Sequence, residues 1–214
     1  MEASRRGILL AGIATTVAPA AAARPPDGIP PALEGQVRND EQACSAAADD
    51  FGHLVHQRPS CILRPKSSGD IAAAIRWASQ RGLRFAAQGQ RHSVYGRAMA
   101  RDGIVAEMSR LHAVHDVQGD RVVVDAGATW REVLAATLPP GFAPPVVTEY
   151  LDLSVGGTLV VGGVGTGTQR HGLQSDNVLA MDVVTGTGHE VACSAQNNVE
   201  LFDMVRAGLG QVAV

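Results

Sequence analysis

Apolar and polar positions along this chain follow two periods, and each change of period marks an element. Cys61-Ile62-Leu63 ahead of Arg64-Pro65 reads as a short buried strand. Ser67, Ser68 and Asp70 then offer polar caps for a helix whose Ile71, Ala74, Ile75 and Ala78 fall at i, i+3, i+4 and i+7, on one face. Gly82 stops that helix, and Leu83 to Ala87 restarts the chain as a strand. Strand-like runs recur at 104–106, 113–117 and 122–124, the last two joined by the hairpin signal Gly119-Asp120. Thr129 caps a helix through Trp130, Val133 and Leu134 that Pro139-Pro140-Gly141 closes. A strand from Val178 to Val184, a turn at Gly186 to Gly188 and a helix around Leu201, Phe202 and Val205 complete the pattern.

The N-terminal segment has a different character. Arg5 and Arg6 precede an apolar run from Ile8 to Val17, and Ala21 and Ala23 form an A-x-A cleavage site before Arg24-Pro25. The run is too short to span a bilayer comfortably. Ser4-Arg5-Arg6-Gly7-Ile8-Leu9 resembles a twin-arginine signal, so residues 1–23 are expected to direct export to the periplasm or outside the cell, with cleavage near Ala23. An ordinary secretory signal with adjacent arginines is the alternative. Residues 24–58, rich in Pro, Gly and polar side chains at their start, are expected to be an arm or linker.

With 45% hydrophobic and 18% charged side chains, the 214 residues can bury a core. The net charge of −3 and the lack of a basic run argue against a nucleic-acid partner. Three cysteines, Cys44, Cys61 and Cys193, leave at least one without a partner in this chain; a Cys44–Cys61 disulfide is open. No C-x-x-C pair or H-E-x-x-H spacing is present, so no metal site is expected.

Two stretches carry candidate chemistry. The strand–helix–strand unit delivers the chain into Gln88-Gly89-Gln90-Arg91-His92-Ser93, at the C-terminal end of a strand, where ligands gather in α/β units. The second runs from Thr148-Glu149-Tyr150-Leu151 through Ser154-Val155-Gly156-Gly157 and Gly162-Gly163-Val164-Gly165 to Arg170-His171-Gly172. Such glycines let backbone N–H groups converge on anionic oxygen. A nicotinamide site is poorly supported, because no long helix with a ribose-binding acid follows.

Taken in order, Gly89-Gln90-Arg91-His92-Ser93 with Gly96, Thr148-Glu149-Tyr150-Leu151 leading to Val155-Gly156-Gly157-Thr158-Leu159, and Arg170-His171-Gly172 with Asn177-Val178 and Asp182 to Gly186 resemble flavin-dependent oxidoreductases of the vanillyl-alcohol-oxidase type, nearest to the cytokinin dehydrogenase branch. The resemblance implies an α+β fold over residues 59–214, a PCMH-type FAD-binding domain of two α/β subdomains holding FAD between them, incomplete and without the family's C-terminal substrate domain. It implies His92 as the residue bonded covalently to the flavin. Ala87, Gly89, Gln90, Arg91, Ser93, Arg97 and Ala98 would line the pyrophosphate loop. Glu149, Ser154, Val160 and Val164 would contact the cofactor, with Gly156, Gly157 and Gly163 keeping backbone close to it.

Two departures from the family pattern stand out. Arg91 replaces a loop glycine; a side chain is penalised where φ must be positive, yet a guanidinium fork suits a phosphate, and the residues leave both outcomes open. Glu149 replaces the branch's proton-accepting aspartate with a carboxylate one methylene longer. The implied function is hydride transfer from an amine, cytokinin-like, or an alcohol to FAD, with oxygen or another acceptor regenerating it and Glu149 as the catalytic base. The alternatives are a non-catalytic flavin-binding remnant and a sugar or aromatic-alcohol oxidase of the same fold. No membrane span is expected.

Overall fold

The computed structural model describes residues 33–214. The expected signal and cleavage site, and the first part of the expected arm, lie outside the described residues.

A four-stranded sheet organises the first lobe. Strand β1 (Gln36–Arg38) lies antiparallel to β2 (Cys61–Arg64), with helix α1 (Glu41–Ala46) between them in sequence. Helix α2 (Ser68–Gln80) then leads to β3 (Phe85–Gln88), and β4 (Ile104–Glu107) inserts between β2 and β3, parallel to both. Helix α2 forms because its start is capped, Ser67 accepting the Asp70 N–H, and because Ile71, Ala74, Ile75 and Ala78 are all buried against the sheet. Leu63 and Ile104 meet the helix on one face, while Ile62 and Val105 pack with Ala47 and Ala100 on the other. This is the alternation that a strand covered on both sides requires.

Residues 36–46, expected as arm or linker, are therefore an edge strand and a short helix of this lobe. Each is too short to carry a strong local signal, and pairing with β2 supplies what periodicity lacks. Asp40 caps α1 by accepting the Ala43 N–H.

The second lobe opens with the hairpin β5 (Val114–Gln118) and β6 (Arg121–Val124), which turns at Gly119 as expected. Helix α3 (Trp130–Thr137) follows, closed at its start by a full capping box: Thr129 accepts the Glu132 N–H, and the Glu132 carboxylate accepts the Thr129 N–H at 2.7 Å. Helix α4 (Val155–Leu159) packs Val155 against Ala128, Trp130 and Val133. Helix α5 (Thr168–His171) then leads to the hairpin of β7 (Ala180–Val184) and β8 (Glu190–Ser194), and α6 (Val199–Val205) covers it through Phe202 and Val205. Strand β8 was not evident from periodicity. Val184 reaches the α2 core, and Ser68 donates to Glu190, so this hairpin also rests on the first lobe.

All three cysteines are buried and free, so the Cys44–Cys61 bridge left open by the sequence is not formed. Burial pushes the Cys61 thiol up to about 11, keeping it protonated at neutral pH.

Candidate functional site

The site is built where the loop after β3 meets the segment that starts α4. Gly89 follows β3 directly, and a Cβ placed there would lie 2.2 Å from the Ser154 hydroxyl oxygen, so a side chain at 89 would push that hydroxyl out of its present position. Ser154 is buried at the N-terminus of α4, and its hydroxyl makes no cap bond to its own helix. The two glycine-bearing stretches singled out in the sequence are thus brought together at one seam.

Beyond Gly89 the backbone is poised for an anion. Among the described residues, the N–H groups of Gln90, Arg91, His92 and Ser93 have no hydrogen-bond acceptor. Four successive free donors around a residue with positive φ make a nest for phosphate oxygens. That residue is Arg91, at φ 60°. Its guanidinium donates to the Ala46 carbonyl at 2.8 Å, at the end of α1. The strain of a non-glycine residue in this conformation, about 1–2 kcal/mol, is thus offset by a charge-assisted bond inside the protein. The same guanidinium helps lower the Glu107 carboxyl. Burial works to raise that group, and it is outweighed by Ser109, by Arg64 at 2.5 Å and by the charge of Arg91.

Side chains fix the rest of the loop. Gln88, itself buried, donates to the Ala98 carbonyl at 3.2 Å. The Asp50 carboxylate accepts the N–H groups of Leu54 at 2.8 Å and Gly96 at 3.3 Å. Burial works to raise the Asp50 carboxyl, and the N–H donors of Leu54, Val55, Gly96 and Tyr95 together leave it below its ordinary value. Ala87 turns its side chain to the α2 core, so only its backbone can serve the loop. Gln90 and Arg97 are exposed.

His92 is in contact with two aromatic rings. Phe51 stacks on it with centroids 4.4 Å apart, and Tyr150 lies 4.9 Å away and tilted. Tyr150 comes from the second lobe, where Glu149 precedes it in the chain. Glu149 is exposed, and its carboxylate has no hydrogen-bond partner among the described residues. Phe51 and Asp50 were missed from sequence; the scarcity of aromatic residues, four Phe and two Tyr in the chain, was the available signal.

Gly156, Gly157 and Gly163 face protein. A Cβ on Gly156 would meet Ala126 at 2.8 Å, one on Gly157 the Ser154 hydroxyl at 2.8 Å, and one on Gly163 the Gln174 amide oxygen at 2.2 Å. The close approach that excludes side chains from Gly156 and Gly163 is helix and loop packing, the plainer of the two uses of glycine in such a stretch. Val160 ends α4 and accepts the Leu209 N–H at 2.7 Å, and Val164 is 71% exposed. Gln174 is buried, with its side-chain oxygen unpartnered. Among the described residues no cluster of His, Cys, Asp or Glu could hold a metal, and no helix is long and apolar enough to cross a membrane.

Known proteins resemble this chain in fold and sequence. The solved structure of 6-hydroxy-D-nicotine oxidase from Arthrobacter nicotinovorans superposes with a TM-score of 0.74 at 31% identity, over 85% of this chain and 41% of that one. An uncharacterized oxidoreductase of the fasciation locus of Rhodococcoides fascians is 43% identical over 182 residues, 85% of this chain and 42% of the relative. Cytokinin dehydrogenase 10 of Oryza sativa subsp. japonica is 43% identical over 193 residues, 85% of this chain and 35% of the relative. The chain thus spans well under half the length of each. The family described as an FAD binding domain matches residues 59–194, a segment that contains the free-donor loop, His92, Glu149 and Ser154. With most of its length in the matched segment, the chain belongs to the FAD-binding domain family.

Proposed function

We propose that this chain holds FAD across the seam between residues 89–98 and 148–164, with His92 covalently attached to the flavin, and that it serves the oxidation of an amine, cytokinin-like, or an alcohol. The observation that carries the reading is the row of four free N–H donors at 90–93, next to Gly89, where the backbone approaches the Ser154 hydroxyl. FAD, when bound, supplies the hydride acceptor and passes its electrons to oxygen or another acceptor.

The chain's own contribution is electrostatic and positional. The N–H groups of 90–93 bind the pyrophosphate oxygens, and the Ser154 hydroxyl, uncommitted to its helix, adds a donor at the same seam. Arg91, engaged by Ala46, holds the loop in its binding conformation instead of reaching outward. Glu149 accepts the proton that leaves substrate nitrogen or oxygen as the hydride departs; what supports this reading is that its chain neighbour Tyr150 lies against His92. Residues 1–23 direct export, a reading supported by the paired arginines and the A-x-A site.

Reconstitution with FAD tests the reading. The purified protein is expected to turn yellow and to keep its flavin through acid precipitation, and His92→Ala to bind flavin that acid releases. With a cytokinin or a related amine, bleaching of the flavin is expected to slow about 100-fold or more in Glu149→Gln. A colourless protein with no flavin absorbance after FAD addition would refute the proposal.

A further inference from the structure

Two aromatic rings lie against the exposed His92 imidazole. The Phe51 ring stacks at 4.4 Å with the planes 24° apart, and the Tyr150 ring lies at 4.9 Å and 41°. The rings come from different parts of the chain, Phe51 from the turn that precedes the matched family segment and Tyr150 from the second lobe. The Phe51 turn is stitched to the His92 loop on both sides of the imidazole: Phe51 N–H donates to the Ser93 carbonyl at 3.1 Å, and the neighbouring Asp50 carboxylate accepts the Gly96 N–H at 3.3 Å. Phe51 and Tyr150 remain 57% and 50% exposed, so neither ring is held there by a hydrophobic core. Ring-on-ring contact is what each gains at this place.

An imidazole nitrogen attacks along a lone pair lying in the plane of its ring. The Phe51 stack and the tilted Tyr150 ring restrict how that plane can turn. We propose that Phe51 and Tyr150 are positioning residues that hold His92 edge-on to the dimethylbenzene end of FAD and so set the rate of covalent attachment; this rests on the reading of His92 as the attachment residue. In that step an imidazole nitrogen forms a bond to a flavin methyl carbon while one methyl C–H bond breaks. The electron pair of that C–H bond passes into the flavin ring system. The methyl proton and the imidazole N–H proton both end on the flavin, which becomes two-electron reduced. Dioxygen then takes up two electrons and two protons and leaves as hydrogen peroxide. Phe51 and Tyr150 exchange no proton in this sequence; they hold the nitrogen on line, and an error of about 1 Å in such a placement costs up to about 100-fold in rate.

Flavin-free full-length protein mixed with FAD in air, sampled over time and denatured in acid, gives the rate at which fluorescence becomes fixed to the polypeptide. Phe51→Leu and Tyr150→Leu, which keep apolar bulk and remove the ring, are expected to slow fixation on the order of tenfold, and Phe51→Tyr to restore the parent rate. A second readout needs no flavin. The ring-bound proton resonances of His92, identified by their loss in His92→Gln, are expected to move downfield in Phe51→Leu and to hold their positions in Phe51→Tyr, as removal of a stacked ring current demands. Fixation at the parent rate in both leucine variants overturns the inference while leaving the covalent reading intact. Unmoved His92 resonances in Phe51→Leu overturn the stack itself. A parent protein that releases all its flavin into acid overturns the covalent reading and the attachment role together.

Discussion

The two lobes hold their shares of the site by different means. In the first, side chains fix the loop after β3: the Asp50 carboxylate, the Gln88 amide and the Arg91 guanidinium each bind backbone groups of the loop or the helix beside it. In the second, backbone closes on backbone. Val155 N–H donates to the Ala128 carbonyl at 2.7 Å, Gly156 N–H to Ala126 at 2.8 Å and Thr166 N–H to Val147 at 3.1 Å. The first lobe should therefore suffer from deleting side chains, and the second from adding them.

The largest effect is expected in the core between the first lobe's sheet and α2. Leu63 is 1% exposed, and Leu63→Ala should cost about 3 kcal/mol, read as a lower urea midpoint at unchanged slope. Next comes Gly165→Ala in the second lobe. Its Cβ would lie 2.1 Å from the Val147 carbonyl, which cannot swing away as a side chain would, and a loss of about 2 kcal/mol is expected. A midpoint equal to the parent's would end the contrast drawn between the lobes. Thr129→Ala removes half of the α3 capping box and should cost about 1 kcal/mol in the same measurement.

Acid gives a more local probe. Because the Asp50 carboxyl lies below its ordinary value in the folded protein, its contribution is fully present above the ordinary carboxylate range and is lost as pH falls through the lowered value. Exchange of the Gly96 N–H is expected to rise over that interval, and Asp50→Asn should abolish the rise. The smallest change belongs to Arg91→Gly. Glycine relieves positive-φ strain of about 1 kcal/mol while the bond to Ala46 contributes about as much, so the urea midpoint should move by no more than about 0.5 kcal/mol in equivalent stability. A large loss would mean that the arginine does more than offset its own strain.

How legible each part was in the sequence follows the same division. Helix α2 announced itself through four apolar residues at helical spacing and a serine cap, because one helix face and one sheet face suffice to form it. Helix α4 did not, since Gly156 and Gly157 are poor helix formers and only packing on Ala126 and Ala128 makes them helical. Strand β1 and helix α1 escaped notice because three- and six-residue elements depend on a partner, here β2. At the site, Gly89, His92 and Ser154 were legible as motif residues. Phe51 and Tyr150 lie far from His92 in sequence and converge on it only once the lobes are assembled, so no local pattern could have shown the stack.

The strand order β1-β2-β4-β3 also bears on how the chain comes off the ribosome. Strands β2 and β3 never pair with each other, and both wait for β4, which is made after them. At about 5–20 residues per second, the interval between the end of β3 and the start of β4 is about one to three seconds. During it α2 has the β1–β2 pair and an unpaired β3 beside it, and no central strand to join them. Nascent chains stalled with β3 outside the ribosome and Ile104 still inside it should therefore display the apolar sides of β2, β3 and α2 together, a target for chaperones and for one another, until the central strand emerges and joins them.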